Sequence, residues 1–328
     1  MTVATVPKTQ IPIIFGTMTF GAPGKGGARV TSLGQCQDIL NAFFARGHIE
    51  LDTARVYAGG TTEEYLAQLR LGRATIDTKV APSKAGDHRA PNLRRIFQSS
   101  LDILGEHNKV RVLYLHAPDR SVPFEETCAE IDQMYQDGLF EIFGLSNYAA
   151  WEVAEIVGIC DRFGYVRPKI YQGMYNAITR AMEAELVPCL RHFNIRLVIY
   201  NPLAGGLVSG KILSADDSVE KGSRFDATAQ QGRDYRKRYF RPAYFDAIKN
   251  IKAVADKSNL TMTEIALRWC QHHSVLLPSD GIIIGASNLQ HLKDNLSDSE
   301  KGPLPQIVLD VLNEAWASIG SDCPPYFR

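Results

Sequence analysis

The sequence predicts an α/β fold in which eight strand–helix units close into a (β/α)8 barrel. Short β-branched runs alternate with longer segments of helical apolar spacing, and there are eight such runs. Along seven of them the polar residues collect at the C-terminal end: Asp52, Lys79, His116, Ser146 with Asn147, Gln172, Asn201 and Ser287. Barrel enzymes build their active sites on that face.

The first run, Ile13 to Met18, leads into GAPGKGG. Lys25 there is followed by glycine rather than Ser or Thr, and no G-x-G-x-x-G register fits. The stretch therefore reads as a flexible loop at the barrel mouth, and the open doubly wound sheet loses its usual phosphate turn. Helical spacing follows at Gln35 to Ala45, then a strand at His48 to Asp52 and a helix at Glu63 to Leu71. The alternation continues with strands at Ala74 to Val80, Val110 to His116 and Glu141 to Asn147, separated by helices at Asn92 to Leu104 and Phe124 to Gln136. A helix at Trp151 to Arg162 precedes strands at Lys169 to Met174 and Arg196 to Asn201. The next connection, Leu203 to about Arg241, carries AGGLVSGK and RDYRKRYFR and exceeds ordinary loop length, which marks it as functional or mobile. The eighth strand, Gly281 to Ser287, is followed by helices at Leu289 to Leu296 and Gln306 to Ile319, the second an addition to the barrel, and by the tail SDCPPYFR. No repeat or low-complexity linker interrupts this plan, so one barrel domain is expected over residues 1–328.

Composition narrows the function. Hydrophobic residues make up 45% of the 328, enough for a large core, while Lys plus Arg and Asp plus Glu each total 36. That balance gives no global attraction to nucleic acid or an anionic membrane, so the expected partner is a small molecule. Cysteines at 36, 128, 160, 189, 270 and 323 form no C-x-x-C pair and have no histidines at zinc-ligand spacing, which predicts reduced thiols and no metal site. MTVATVPKTQIP lacks the features of a signal peptide and no apolar stretch is long enough to span a bilayer, so a cytoplasmic location is expected.

Carbonyl reduction needs a hydride from one side and a proton onto the developing alkoxide, from an acid less reluctant than a free phenol of pKa ~10. Tyr57, Lys79 and Asp52 can supply the proton. An ammonium beside a phenol lowers its pKa, and a carboxylate behind the ammonium keeps it charged and aimed. His116 would orient the carbonyl oxygen. By strand alternation Asp77 and Lys79 share one face, as do Tyr114 and His116.

The strings L-D-T-A-R-V-Y at 51–57, T-K at 78–79, Y-L-H-A-P-D at 114–119 and G-L-S-N-Y at 144–148 resemble the aldo-keto reductase superfamily. The resemblance runs nearly end to end. It is closer to the aflatoxin aldehyde reductase branch through Y-Q-G-M-Y-N at 171–176, P-C-L-R-H-F at 188–193, Y-N-P-L-A-G-G-L at 200–207 and the tail C-P-P-Y-F-R. It implies a TIM barrel, NADPH bound without a Rossmann domain, and a catalytic tetrad of Asp52, Tyr57, Lys79 and His116. It further implies that Ser146, Asn147 and Gln172 hold the nicotinamide carboxamide while Tyr200 stacks on the ring. Asn201, Leu203, Gly206, Ser209 and Lys211 match the segment over the pyrophosphate, and Ser287, His291 and Asn295 match the region at the adenosine phosphate. A homodimer is a further implication of the branch.

Departures from the pattern bear on the substrate. His291 stands where relatives carry Arg or Gln; Ser83 replaces an expected tryptophan, and Ala227 to Asp234 lacks another. A wider or more polar pocket is expected, with substrate contacts from Met18, Ser83, Arg236, Arg238 and Arg328. The cationic stretch is either solvated surface or, through Arg236 or Arg238 with Arg328, a receptor for a substrate carboxylate, which suits arginine's bidentate fork. The alternative is a cofactor-binding regulatory subunit of a potassium channel, although the N-terminal extension of such subunits is not found in this sequence.

Overall fold

A computed structural model describes residues 6–328; the first five residues of the N-terminal stretch discussed above lie outside the described residues. Eight parallel strands close into a barrel in sequence order: β1 (Ile13–Gly16), β2 (Glu50–Asp52), β3 (Thr75–Val80), β4 (Val110–Leu115), β5 (Ile142–Ser146), β6 (Ile170–Met174), β7 (Arg196–Tyr200) and β8 (Gly281–Ile284). β8 pairs back onto β1 through Ile282 and Ile13. Each strand lies within its expected run. The ends are trimmed where pairing stops, most at β8, which gives way after Ile284 to the turn that leads into the next helix.

The helices form the outer layer: α1 (Leu33–Ala45), α2 (Thr61–Leu66), α3 (Ala90–Leu104), α4 (Phe124–Gln136), α5 (Ala150–Phe163) and α6 (Leu186–His192), then α7 (Gln230–Tyr239), α8 (Pro242–Lys257), α9 (Met262–His272), α10 (Leu289–Ser299) and α11 (Gln306–Ile319). Local chemistry sets their ends. Asn288 Oδ1 accepts the N–H of His291 at 2.8 Å and starts α10, and Pro242 opens α8 at a position that needs no donor. The connection after β7 is less loop-like than its composition suggests, because RDYRKRY is helical and α8 and α9 follow before β8. Four cysteines are buried and two half-buried, and all six are unpaired. Among the described residues no helix is long and apolar enough to cross a membrane.

Two packing regions position the site. Outside the barrel a continuous apolar layer fills the space between sheet and helices. Inside, Ile14, Val112, Tyr114, Ile170, Val198 and Ile283 form a second cluster. Gly144 on β5 is required there, since an added Cβ would stand 2.4 Å from the Tyr114 ring. Below this cluster, Arg111 donates to Asp77 at 2.9 and 2.6 Å, and Arg196 donates to Glu50 at 2.9 Å. Burial pushes the Asp77 carboxyl up to about 6, against the pull of Arg111. This network fills the N-terminal end of the barrel. The opposite end is a cavity.

Candidate active site

β2 and β3 set the geometry at the cavity floor. Asp52 and Lys79 point inward from neighbouring strands, and the Lys79 Nζ, fully buried, donates to Asp52 Oδ1 at 2.6 Å and to the Thr53 carbonyl at 2.7 Å. Asp52 Oδ2 is a further acceptor at 2.5 Å, and the Tyr57 hydroxyl stands at 3.3 Å. An ammonium has three hydrogens and no lone pair. With no lone pair it cannot accept from the phenol, so Tyr57 is the acceptor toward Lys79 and its own O–H points elsewhere.

The electrostatics differ from the sequence expectation in one respect. Burial holds the Tyr57 phenol above its ordinary value; Lys79 pulls it down, but Asp52 adds a push upward. The carboxylate that keeps Lys79 charged also opposes its field at the phenol. Tyr57 is thus a protonated group at neutral pH. For Lys79, burial works against the ammonium, yet Asp52 and Tyr57 together offset it and raise the pKa. Burial pushes the Asp52 carboxyl upward, with Lys79 and a 2.7 Å bond from Gln172 Nε2 opposing.

His116, at the end of β4, stands edge-on to Tyr57 with ring centroids 5.9 Å apart. Burial, reinforced by Lys79 and Arg328, holds its imidazole well below the ordinary histidine value, so it is neutral. A charged proton donor is excluded here; a neutral polar group that orients an oxygen is what remains.

Beyond β5 and β7 the chain turns through two left-handed asparagines, Asn147 at φ +63° and Asn201 at φ +68°. Asparagine tolerates this conformation, which lets each side chain fold back beside its strand end. Asn147 Nδ2 donates to the His116 carbonyl at 2.7 Å and to Ser146 Oγ at 3.0 Å, and its Oδ1 accepts from the Tyr200 hydroxyl at 2.9 Å. Asn201 donates to the Tyr239 hydroxyl at 2.6 Å, and its Oδ1 is buried with no partner.

These groups line one cavity of about 960 Å³ at the C-terminal ends of the strands. Asp52, Tyr57, His116, Ser146, Asn147, Gln172, Tyr200 and Asn201 border its inner part, while Leu203, Gly206, Ser209 and Lys211 follow along the segment after β7. Ser287, His291 and Asn295 form the far end, with Ser287 Oγ 2.9 Å from His291 Nδ1. Met18, Arg238 and Arg328 also border it. Lys79 lies behind this surface, reaching it through Tyr57.

Two expected substrate contacts lie elsewhere. Ser83 is exposed and outside the cavity, because the segment after β3 is folded back by Asp87, whose Oδ2 accepts the Ser83 N–H at 2.8 Å. Arg236 donates to the Phe225 carbonyl at 2.7 Å and lies 4.3 Å over the Phe240 ring. The reason is helical: in α7, Gln231, Asp234, Tyr235 and Arg238 share the face toward the cavity, and Arg236 falls on another. The tail is held by Tyr326, whose hydroxyl donates to Glu185 at 2.5 Å and accepts the Ala150 N–H at 3.1 Å. Phe327 beside it is exposed. The Arg328 N–H donates to the Asn147 carbonyl at 3.0 Å, bringing its side chain to the rim.

Sequence reasoning missed Arg29, Arg224 and Tyr235, which also line the cavity. Arg224 donates to the Tyr235 hydroxyl at 2.7 Å, and Arg29 has a buried Nη2 with no partner. Burial and the nearby Arg224 both lower the Arg29 pKa. Two close cations lacking an acid partner suit an anionic ligand. No periodicity signals them, because they come from separate loops.

Comparison with known proteins agrees with this geometry. The profile described as "Aldo/keto reductase family" matches residues 12–317. The chain is 44% identical to human "Aldo-keto reductase family 7 member A3" over 88% of this chain and 91% of that protein. It is 40% identical to human "Aflatoxin B1 aldehyde reductase member 2" over 98% of this chain and 91% of the relative. With "Aldo-keto reductase pigE" of Monascus ruber the identity is 38% over 98% of both chains.

Proposed function

The chain belongs to the aldo/keto reductase family, an oxidoreductase acting on carbonyl groups with a nicotinamide cofactor, and we propose that NADPH is that cofactor and Tyr57 the proton donor. The observation that carries the reading is the Tyr57 hydroxyl 3.3 Å from the Lys79 ammonium, a group that can only donate. It leaves the Tyr57 O–H free for a carbonyl oxygen in the cavity. Burial keeps that proton in place until the much more basic alkoxide develops, and Lys79 then stabilises the phenolate left behind. Neutral His116 orients the same oxygen.

The residues fit a phosphorylated dinucleotide. Arg29, Arg224 and Lys211 line the cavity, and Arg29 Nη2 and Asn201 Oδ1 are buried polar atoms awaiting partners. Bound there, the cofactor supplies the hydride. Ser146, Asn147 and Gln172 would hold the carboxamide, with Tyr200 against the ring; the Tyr200–Asn147 bond already fixes that aromatic face. Asn201, Leu203, Gly206, Ser209 and Lys211 would take the pyrophosphate, and Ser287, His291 and Asn295 the adenosine phosphate end. Arg238 and Arg328 give the substrate side positive charge, which suits an aldehyde carrying a carboxylate. A cytoplasmic homodimer belongs to the same reading.

Fluorescence titration with NADPH and NADH, followed by NADPH oxidation against aromatic, dicarbonyl and carboxylate-bearing aldehydes, tests this function. Tighter NADPH binding and turnover of at least one aldehyde class are expected. Equal or tighter NADH binding would refute the cofactor assignment. Absence of turnover across the panel would favour the regulatory-subunit alternative.

A further inference from the structure

The Tyr57 hydroxyl is fixed inside the barrel by Lys79, but the backbone that carries it is held from the other side of β3. After Tyr57 the chain runs through three consecutive left-handed residues, Ala58 at φ +47°, Gly59 at +63° and Gly60 at +94°. Such a conformation is unfavourable for alanine and persists only where its surroundings over-determine it. Arg55 supplies the restraint. Its Nη1 donates to the Gly60 carbonyl at 3.3 Å and to Glu63 Oε2 at 2.5 Å, so the guanidinium spans the loop from before Tyr57 to the start of α2. Gly60 makes room for it: an added Cβ would stand 2.1 Å from Arg55 Nη2.

Glu63 is fully buried, and its other oxygen accepts from Thr78 Oγ1 at 2.7 Å. Thr78 and Lys79 are consecutive on β3, so alternation sends them to opposite faces of the sheet. The Arg55 N–H also donates to the Lys79 carbonyl at 3.2 Å. One two-residue step of β3 therefore grips both ends of the same device: Lys79 holds the phenol, and Thr78, through Glu63 and Arg55, holds the loop that aims it. Arg55 does not border the cavity.

We propose that Arg55, acting through the buried carboxylate of Glu63, is a positioning residue that sets the distance of Tyr57 to Lys79 and to the substrate oxygen. The proposal rests on the proton-donor reading of Tyr57. Misplacing a reacting group by about 1 Å can cost on the order of a hundredfold in rate. Binding of the cofactor, which uses other strand ends, should be spared.

The test uses Arg55→Met, Arg55→Lys and the double variant Arg55→Met/Glu63→Gln, which avoids leaving a buried carboxylate unpaired. Arg46→Ala, which breaks the Arg46–Glu300 ion pair away from the cavity, serves as the control. The expected result is a fall in kcat of roughly ten- to a hundredfold in Arg55→Met and in the double variant, with the NADPH Kd changed less than about twofold. Arg55→Lys should recover part of the loss and Arg46→Ala should lose none. In a Tyr57→Phe background, Arg55→Met should add no further loss, because there is no longer a proton donor to misplace. Wild-type kcat in a folded double variant, or an equal additional loss in the Tyr57→Phe background, overturns the proposal. Full turnover by Tyr57→Phe itself would instead overturn the proton-donor reading, and the proposal with it.

Discussion

Tyr57 and Lys79 show how a missing lone pair fixes the direction of a hydrogen bond. Because the ammonium has no lone pair, the direction of the phenol's hydrogen follows from valence rather than from pKa. The expectation that Lys79 lowers the phenol's pKa left out burial and Asp52, which push it upward and which only the folded geometry supplies. At the rim, Arg328 is brought to the cavity by its own backbone N–H on Asn147. If its guanidinium receives a substrate carboxylate, Arg328→Ala removes a charge-assisted hydrogen bond of ~1.5 to 3 kcal/mol, roughly a ten- to hundredfold loss in kcat/KM. That loss should appear with an anionic aldehyde and be absent with a neutral aromatic one, measured in parallel. Equal declines, or none, would return Arg328 to the role of a solvated terminus.

Two elements carry buried histidines whose charge state ties folding to pH. His48 leads into β2 stacked on Phe43 with centroids 5.1 Å apart, and His88 leads into α3. Each has a buried Nε2 without a partner, and burial lowers each imidazole to about 4. The folded pKa values lie below the unfolded value of about 6.5, so the unfolded chain takes up protons first as the pH falls. The stability is fully present above that value and is lost on the way down to about 4. Between pH 7 and pH 5 each imidazole should cost about 2 kcal/mol, while Asp77, raised to about 6, returns about 1 kcal/mol. Urea unfolding at the two pH values checks this. His48→Phe should remove about 2 kcal/mol of the pH dependence by the same linkage, and an unchanged slope would place the titration elsewhere. The element scale is also where sequence reasoning ran out. The charge density of RDYRKRY hid the helical face of α7, so Arg236 was grouped with Arg238 although they lie on different sides.

Across the whole molecule, the division between a filled N-terminal end and an open C-terminal end explains what the sequence made legible. Alternation and strand-end placement locate Asp52, Lys79, His116, Asn147 and Gln172, because position along a strand determines position in a barrel. Arg29 and Arg224 meet only through the closure of separate loops, and Ser83 was misplaced because the Asp87 turn is a tertiary fold-back. The central claim is that the cavity reduces a carbonyl with a proton from Tyr57. Single-turnover oxidation of bound NADPH by Tyr57→Phe, with the NADPH Kd measured on the same protein, tests it most directly. The account predicts an intact Kd and a rate lowered on the order of 10²- to 10⁴-fold, the usual contribution of a general acid. A rate above about half of wild type, far outside that range, would show that the proton comes from another group.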